Sequence, residues 1–343
     1  MTADPGDPAL ASAAPAVGGT APPGDGRVGF DRLTASIGRQ IVGYRDVVRA
    51  LMIALLSDGH VLLEGVPGLA KTQLVRAFSQ TLRLSFRRVQ FTPDMLPSDI
   101  LGSTILQPRD QSFVFRPGPI FANVILADEI NRAPPKVQSA LLEAMQERQV
   151  TLDGVTHPLP SPFIVIATQN PIEHEGTYPL PEAELDRFLF RWIMDYPSAD
   201  EEVAILRARS GPGDLPDVTS VLGPAEVDRL RVLRREVFVH DDLYRYVAEV
   251  VRQTRRDSRL LVGASPRASV QFLLGVQAAA LLNERGYVLP DDVRALAFPV
   301  LNHRVVVRPE VLSQAAGIGS TNGTVGLLRQ ILKQVLDAVE VPR

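Results

Sequence analysis

Residues 65–72 have the sequence GVPGLAKT, and this stretch decides the fold of the chain. It follows an apolar run at positions 61–63, which predicts a buried strand, and it precedes a helical pattern of apolar residues. A glycine-rich turn between a strand and a helix points successive backbone N–H groups at one place next to the helix N-terminus, where a phosphate chain binds. The stretch therefore predicts a nucleotide-binding loop of the Walker A type, formed by Gly65, Val66, Pro67, Gly68, Leu69, Ala70, Lys71 and Thr72.

Two side chains at the end of this loop carry its chemistry. Lys71 is expected to reach the β- and γ-phosphates of the nucleotide, and the Thr72 hydroxyl is expected to ligate Mg²⁺. Ala70 departs from the general pattern, because a glycine usually precedes the lysine. Taken alone, the stretch also fits a plain glycine–proline turn before a helix, so its interpretation needs a second signal.

A second nucleotide signal lies downstream, where an apolar run at positions 124–127 ends in the adjacent carboxylates Asp128 and Glu129. A buried parallel strand has such a run, and ligands bind at its carboxyl end in open α/β sheets. Asp128 is expected to hold Mg²⁺ opposite Thr72, and Glu129 suits a general base that orients and deprotonates the attacking water. The alternative is a charged strand exit into solvent, which the loop upstream disfavours.

Composition excludes several classes of protein. The length of 343 residues suggests two domains. The net charge of −3 gives no bulk attraction to nucleic acid or to an anionic membrane, and the lack of cysteine excludes disulfides and thiolate metal sites. No stretch is long and apolar enough to span a bilayer, and the N-terminal residues lack the pattern of a signal peptide. We therefore expect a soluble, cytoplasmic protein.

The pattern along the chain predicts three parts. Residues 1–28 are rich in Ala, Pro and Gly and are expected to form a disordered tail. Strands and helices alternate in residues 29–197, which predicts an α/β core with a parallel sheet between helices. The expected strands are Val61–Glu64, Phe86–Phe91, Val124–Asp128, Ile164–Thr168 and Phe188–Met194. Beyond Pro197 we expect no strands, and residues 198–343 are expected to form a second, all-helical domain.

Two segments of the core depart from the simple alternation. Residues 93–118 combine turn signals with alternating side chains, which predicts a small β insertion between the second and third strands. Residues 149–157 predict a hairpin, because Asp153 and Gly154 favour a tight turn with positive φ. Both segments are candidates for contact with a partner or substrate, and a role in covering the core is the alternative.

Together these features resemble the AAA+ ATPases and, within them, the MoxR family. The resemblance is carried by Ile41-Val42-Gly43, residues 65–72, Gln90 to Asp94, Ser98 to Ile100, Ala127 to Pro134 and Pro179 to Phe188. It covers nearly everything after the tail, and Ala70 matches the MoxR form of the loop. The resemblance implies a P-loop core with a helix-2 insert at 93–118 and a pre-sensor-1 hairpin at 149–157, followed by a helical lid domain.

The resemblance assigns roles to further residues. It adds Gly43 to the nucleotide-binding residues, and it implies that Asn170 is sensor 1, which orients the attacking water with Glu129. Arg187 matches the arginine finger, which reaches the γ-phosphate held by the neighbouring subunit, and Arg267 matches sensor 2. The alternatives that the residues alone leave open are a turn asparagine before Pro171, a salt bridge of Arg187 with Asp186 or Glu184, and a solvent-facing Arg267.

The resemblance also implies the function, which is hydrolysis of ATP with Mg²⁺ in a homo-oligomeric ring, expected to be a hexamer. The implied work is chaperone-like remodelling or maturation of a client protein, with a partner that carries a von Willebrand factor A domain. The alternatives are a nucleotide-dependent scaffold with negligible turnover, a magnesium-chelatase-like subunit and a nucleic-acid motor. Arginines of the helical part are interleaved with acidic residues, which favours a solvated surface over a nucleic-acid-binding one.

Overall fold

The chain folds around a parallel β-sheet, and the computed structural model describes residues 25–108, 111–170, 177–210, 217–314 and 321–342. Strands and helices alternate in the first part of the chain. Its elements are α1 (Asp25–Ile37), α2 (Arg45–Leu56), β1 (Val61–Glu64), α3 (Lys71–Thr81), β2 (Phe86–Gln90), α4 (Pro97–Leu101), β3 (Gly102–Gln107), β4 (Ser112–Pro117), β5 (Val124–Asp128), a 3₁₀ turn (Ile130–Arg132), α5 (Pro135–Glu147), β6 (Gln149–Leu152), β7 (Val155–Pro158), β8 (Ile164–Gln169), α6 (Glu182–Leu185) and β9 (Phe190–Ile193).

The main sheet has the strand order β2-β5-β8-β1-β9, and all neighbouring strands are parallel. Strands β1, β5 and β8 are almost entirely buried, because each is an unbroken apolar run between two layers of helices. Parallel pairing places their carboxyl ends side by side, with Glu64 opposite Gln169 and Asp128 opposite Gln90. The expected α/β core is confirmed, and polar residues from several strands meet at one edge of the sheet.

Two β-hairpins extend this core, as the sequence predicted. The first follows the short helix α4 and pairs β3 with β4. The second pairs β6 with β7 around Asp153 and Gly154, whose φ angles are +50° and +80°. The rings of Phe115 and His157 stack with their centroids 3.9 Å apart, so the two hairpins touch.

The rest of the chain is mainly helical. Its elements are α7 (Ala199–Ser210), α8 (Pro224–Glu236), α9 (Asp241–Arg256), β10 (Leu260–Val262), α10 (Pro266–Leu282), α11 (Pro290–Leu301), β11 (Val306–Val307), α12 (Pro309–Gln314) and α13 (Thr321–Asp337). Within the described ranges, no helix is both long and apolar enough to cross a membrane.

The expectation that strands stop beyond Pro197 was wrong. A short antiparallel pair joins β10 to β11, with Leu260 opposite Val307. The two strands lie far apart in the sequence and are very short, so neither has a local pattern that reveals the pairing. Tertiary context creates this small sheet, as is common for short strands.

Helix α10 joins the helical part to the core. It packs against α8, α9 and α11 of the helical part, and against α1 and α2 of the core. One hydrophobic cluster therefore runs from a face of the main sheet into the helical part, and it includes Leu51, Phe78, Phe190 and Phe272. The opposite face of the sheet is covered by α5, whose Leu141 belongs to a second cluster.

The first helix begins earlier than expected. Helix α1 starts at Asp25, so residues 25–28, which we expected to belong to the tail, are helical. Its buried residues Phe30, Leu33 and Ile37 repeat at helical spacing, and the helix continues N-terminal to them. The expected tail at residues 1–24 lies outside the described residues.

Candidate nucleotide-binding site

The loop at residues 65–70 turns the chain from β1 into α3, which begins at Lys71. Two of its residues have left-handed backbone conformations, Gly68 with φ +90° and Ala70 with φ 54° and ψ 24°. A Cβ atom at Gly65 would lie 3.0 Å from the carbonyl oxygen of Met194, so the absent side chain lets the loop approach the end of β9. The loop geometry is thus fixed by backbone conformation and close packing together.

A cavity of about 830 Å³ opens beside this loop. Its lining includes residues that the sequence predicted for the site, together with the neighbouring Thr168, and these are Pro67, Gly68, Leu69, Ala70, Lys71, Thr72, Asp128, Glu129 and Asn170. Other lining residues are apolar or aromatic, among them Ile41, Val42, Tyr196, Ile205 and Leu206. A cavity lined by apolar side chains and a few convergent polar groups is typical of a small-molecule site.

Lys71 lines the cavity, and several acidic residues lie close to it. Its Nζ donates a hydrogen bond to the carbonyl oxygen of Gly65 at 2.5 Å. Burial lowers the pKa of Lys71, while the charges of Asp128, Glu129 and Glu64 oppose that shift. Nζ is therefore held in the mouth of the loop, where its positive charge faces the cavity.

Asp128 is held from two sides. Its Oδ1 accepts a hydrogen bond from the Thr168 hydroxyl at 2.6 Å. Its Oδ2 accepts hydrogen bonds from Nε and Nη2 of Arg88 at 3.0 and 2.7 Å. Thr168 belongs to the neighbouring strand β8 and Arg88 to β2, so the parallel sheet brings both partners to the end of β5.

Glu129 has a left-handed backbone, with φ 57° and ψ 51°, and its N–H donates to the Thr168 hydroxyl at 2.9 Å. Its Oε2 accepts a hydrogen bond from the Gln90 amide at 2.8 Å and lies 3.0 Å from Nε of Arg132. Left-handed backbone is unfavourable for a residue with a side chain, and such strain concentrates at functional sites. The turn aims the carboxylate of Glu129 into the cavity beside Asp128.

The donor set of the cavity fits Mg²⁺. Thr72 and Asp128 both line the cavity, and the hydroxyl and carboxylate oxygens that they carry are ligands that Mg²⁺ prefers. Mg²⁺ in nucleotide sites takes one or two protein ligands and completes its shell with phosphate oxygens and water. Thr72 and Asp128 are the residues that would hold it.

Asn170 lies where a sensor residue was expected. It follows β8, is 8% exposed and lines the cavity with Asp128 and Glu129. The structure thus places it on the lining of the same cavity as the candidate base.

Other predicted site residues lie outside the lining of this cavity. Gly65 and Val66 belong to the loop and are not among the lining residues, and Gly43 lines a neighbouring cavity of about 500 Å³. Arg187 and Arg267 are not among the lining residues either, and Nη1 of Arg267 donates to Gln146 at 3.4 Å. The structure therefore brings together one group of predicted residues and leaves both candidate arginines away from the chain's own cavity.

The sequence analysis did not predict several residues of the site. Arg88, Arg132 and Thr168 contact the two carboxylates, and none was singled out. A signal existed for Arg88, because it precedes Gln90 by two positions and side chains at i and i+2 share one face of a strand. A signal for Thr168 was its place at the polar end of an apolar run, beside the strand that carries Asp128.

Comparisons with known proteins agree with this geometry. The ATPase family associated with various cellular activities (AAA) matches residues 60–190, and the AAA lid domain matches residues 252–318. The chain is 46% identical to Chaperone MoxR1 of Mycobacterium tuberculosis, over 83% of this chain and 77% of that protein. It is 33% identical to Protein MoxR of Paracoccus denitrificans, over 82% of this chain and 89% of that protein.

A solved structure shares the whole fold. The crystal structure of a protein from Cytophaga hutchinsonii matches with a TM-score of 0.82 and 38% identity, and the match covers 92% of this chain and 96% of that one. The expected fold class, an α/β core followed by a helical lid, is confirmed by this match and by the two family matches.

Proposed function

The chain belongs to the MoxR family of AAA+ ATPases, and from that membership we propose that it hydrolyses ATP to ADP and phosphate with Mg²⁺. One observation carries the proposal: a single cavity is lined by Lys71, Thr72, Asp128, Glu129 and Asn170. Phosphoryl transfer depends mainly on positioning and on neutralising charge, and these residues supply both.

The lining of the cavity suits both parts of a nucleotide. Its apolar residues, which include Ile41, Val42 and Ile205, offer a surface for the purine base. The backbone N–H groups of the loop and the N-terminus of α3 favour the negative charge of the phosphates. Lys71 exchanges its hydrogen bond to Gly65 for one to a phosphate oxygen.

Glu129 is the proposed base. Bound Mg²⁺ would neutralise charge on the phosphates, held there by Thr72 and Asp128. Gln90 donates to Oε2 of Glu129 and Nε of Arg132 lies 3.0 Å from the same oxygen, so we assign Oε1 as the atom that takes a proton from water. Asn170 orients that water from the neighbouring strand end.

The positions of Arg187 and Arg267 support a shared site. In the described part of the chain no hydrogen bond or ion pair holds the Arg187 guanidinium: Asp186 pairs with Arg304, and Glu184 accepts from Ser139. Because neither arginine lines its own cavity, we propose that both act on the nucleotide of a neighbouring subunit in a ring, expected to be a hexamer.

The proposed work is remodelling or maturation of a client protein in the cytoplasm, together with a partner that carries a von Willebrand factor A domain. A relative named Chaperone MoxR1 supports the chaperone-like role. Hydrolysis would move the helical domain, residues 198–343, against the core, residues 29–197. The β3–β4 hairpin is the proposed contact region, since its Ile105, Leu106 and Phe113 are exposed by 44, 54 and 74%.

Phosphate release by the wild type and by two variants tests the proposal. Lys71→Ala is expected to lose nucleotide binding, whereas Glu129→Gln is expected to bind ATP and lose turnover by roughly 10²–10⁴-fold. Turnover of the wild type should require Mg²⁺. A wild type that binds ATP and does not turn it over, alone or with a client, would favour the scaffold instead.

A further inference from the structure

Arg304 lies between α11 and β11, and only 1% of its side chain is exposed. Its Nε donates to Oδ1 of Asp186 at 2.8 Å, and its Nη2 donates to the carbonyl oxygens of Asp186 and Phe188 at 3.3 and 2.5 Å. Its Nη1 donates to the carbonyl oxygen of Leu189 at 3.1 Å. One buried guanidinium therefore holds the backbone on both sides of Arg187.

The same guanidinium is tied to helix α10, which carries Arg267. Nη2 of Arg304 also donates to Oε1 of Gln271, one turn after Arg267. At the helix start, the Ser265 hydroxyl donates to the second carboxylate oxygen of Asp186 at 2.8 Å and caps the helix by accepting from a backbone N–H. Asp186 and Arg304 thus connect α10 with the segment at residues 186–189.

The buried guanidinium of Arg304 serves to fix the positions of its hydrogen-bond acceptors. Burial lowers the pKa of Arg304 to about 10, and the charge of Asp186 opposes the shift, so the guanidinium is charged at neutral pH. A buried ion pair is no efficient source of stability, because well-packed apolar residues serve as well. A planar guanidinium with five N–H groups does, however, fix several acceptors in one arrangement.

We propose that Asp186 and Arg304 are positioning residues that hold Arg187 and Arg267 as one rigid unit, presented to the nucleotide of the neighbouring subunit. The inference rests on the shared site proposed above. Arg304 belongs to the helical part and Asp186 to the core, so a shift of the helical part carries the Arg187 segment with it. Movement driven by the nucleotide of one subunit is thereby passed to the active site of the next.

Two substitutions at Ser265 separate this role from helix capping. Aspartate and asparagine both cap helices well, and they are nearly equal in size. Ser265→Asp places a carboxylate against Asp186, whereas Ser265→Asn can still donate a hydrogen bond to it. We expect Ser265→Asp to lower turnover per site by roughly tenfold or more, since misplacing a catalytic group by about 1 Å can cost 10²-fold. The Ser265→Asn variant is expected to retain most of the wild-type turnover.

Mixing subunits then shows whose site is affected. Glu129→Gln subunits lack turnover and keep an intact Arg187, so they complete the site of a neighbour whose own arginines are misplaced. Turnover in a mixture of Ser265→Asp and Glu129→Gln subunits should exceed the sum of the separate activities severalfold. Asp186→Asn, which keeps the shape and removes the charge that pairs with Arg304, should behave in the same way, with unchanged affinity for ATP.

Each result decides between the possibilities. Wild-type turnover is measured first, and its absence would reject the proposed ATPase itself. Given an active wild type, Ser265→Asp with full turnover would overturn the positioning role. A loss that mixing does not restore, seen for both Ser265→Asp and Asp186→Asn, would overturn it too, because the damage would then lie in the variant's own site.

Discussion

Arg88 donates two hydrogen bonds to one carboxylate oxygen of Asp128, from Nε at 3.0 Å and from Nη2 at 2.7 Å. Nη2 of Arg88 also donates to Oε1 of Gln90, whose amide donates to Glu129. Side chains of strand β2 therefore contact both carboxylates of the site, and the Arg88 guanidinium places a positive charge against the carboxylate that would hold Mg²⁺.

Removing this guanidinium should strengthen Mg²⁺ binding. A positive charge within a few ångströms repels a divalent cation, although Arg88 is half exposed and water weakens the effect. We expect Arg88→Ala to lower the Mg²⁺ concentration for half-maximal turnover by on the order of 3–10-fold. Arg87→Ala is the matched control, since Arg87 lies on the opposite face of the strand. A higher Mg²⁺ requirement in Arg88→Ala would show that the arginine orients Asp128 for the metal.

Of the two loop residues with positive φ, Gly68 and Ala70, we expect Ala70 to have the more strained backbone because it carries a Cβ atom. Its left-handed backbone, with φ 54°, is unfavourable by about 1–2 kcal/mol for a residue with a Cβ, and glycine avoids most of this. Since glycine also loses more entropy on folding, we expect Ala70→Gly to leave the free energy of unfolding unchanged or to raise it by up to about 1 kcal/mol.

The control for this substitution is Ala140→Gly, within helix α5, where the same change should cost about 1 kcal/mol. Chemical denaturation compares the two variants. Equal losses at both positions would contradict the left-handed conformation of Ala70.

Two buried histidines should make the fold sensitive to acid. Burial lowers the pKa of His60 from 6.5 to about 3 and lowers the pKa of His303 in the same direction. The unfolded chain therefore binds protons below about pH 6.5 that the folded chain excludes, so stability is complete above that pH and is lost as the pH falls.

The loss between about pH 7.5 and about pH 5.5 should be about 1.4 kcal/mol for each such histidine. Denaturation at the two pH values measures it. His60→Gln should make the loss of unfolding free energy between these two pH values smaller by about 1.4 kcal/mol, the part due to one histidine. An unfolding free energy of the wild type that is constant from pH 7.5 to 5.5 would contradict the lowered pKa values of His60 and His303.

Local sequence was enough to predict the elements that carry the proposed phosphate site. The limits of β1 and β5 were predicted to the residue, because unbroken apolar runs end in polar residues at Glu64 and Asp128. The loop before Lys71 could be predicted because its binding pattern is formed by consecutive residues, 65–72. The hairpin of β6 and β7 was predicted from its Asp153-Gly154 turn, and the β3–β4 hairpin was predicted as a small β insertion.

What the sequence could not predict were contacts between distant segments. Arg88 lies on a strand that reaches Asp128 only through the register of the sheet, and Arg304 lies far along the chain from Asp186. The pairing of β10 with β11 could not be predicted for the same reason, because the two strands lie far apart in the sequence. The roles of Asn170, Arg187 and Arg267 came from the resemblance, and all three remain predictions, those of the two arginines about an assembly.

The central claim is that the active site is completed by a neighbouring subunit. Phosphate release per subunit, measured over a wide range of protein concentration for the wild type and for Arg187→Ala, tests it most directly. We expect wild-type activity per subunit to rise with concentration as rings form, and Arg187→Ala to bind ATP and lose roughly 10³–10⁵-fold in rate. Activity per subunit that is independent of concentration and unaffected by Arg187→Ala would contradict the shared site.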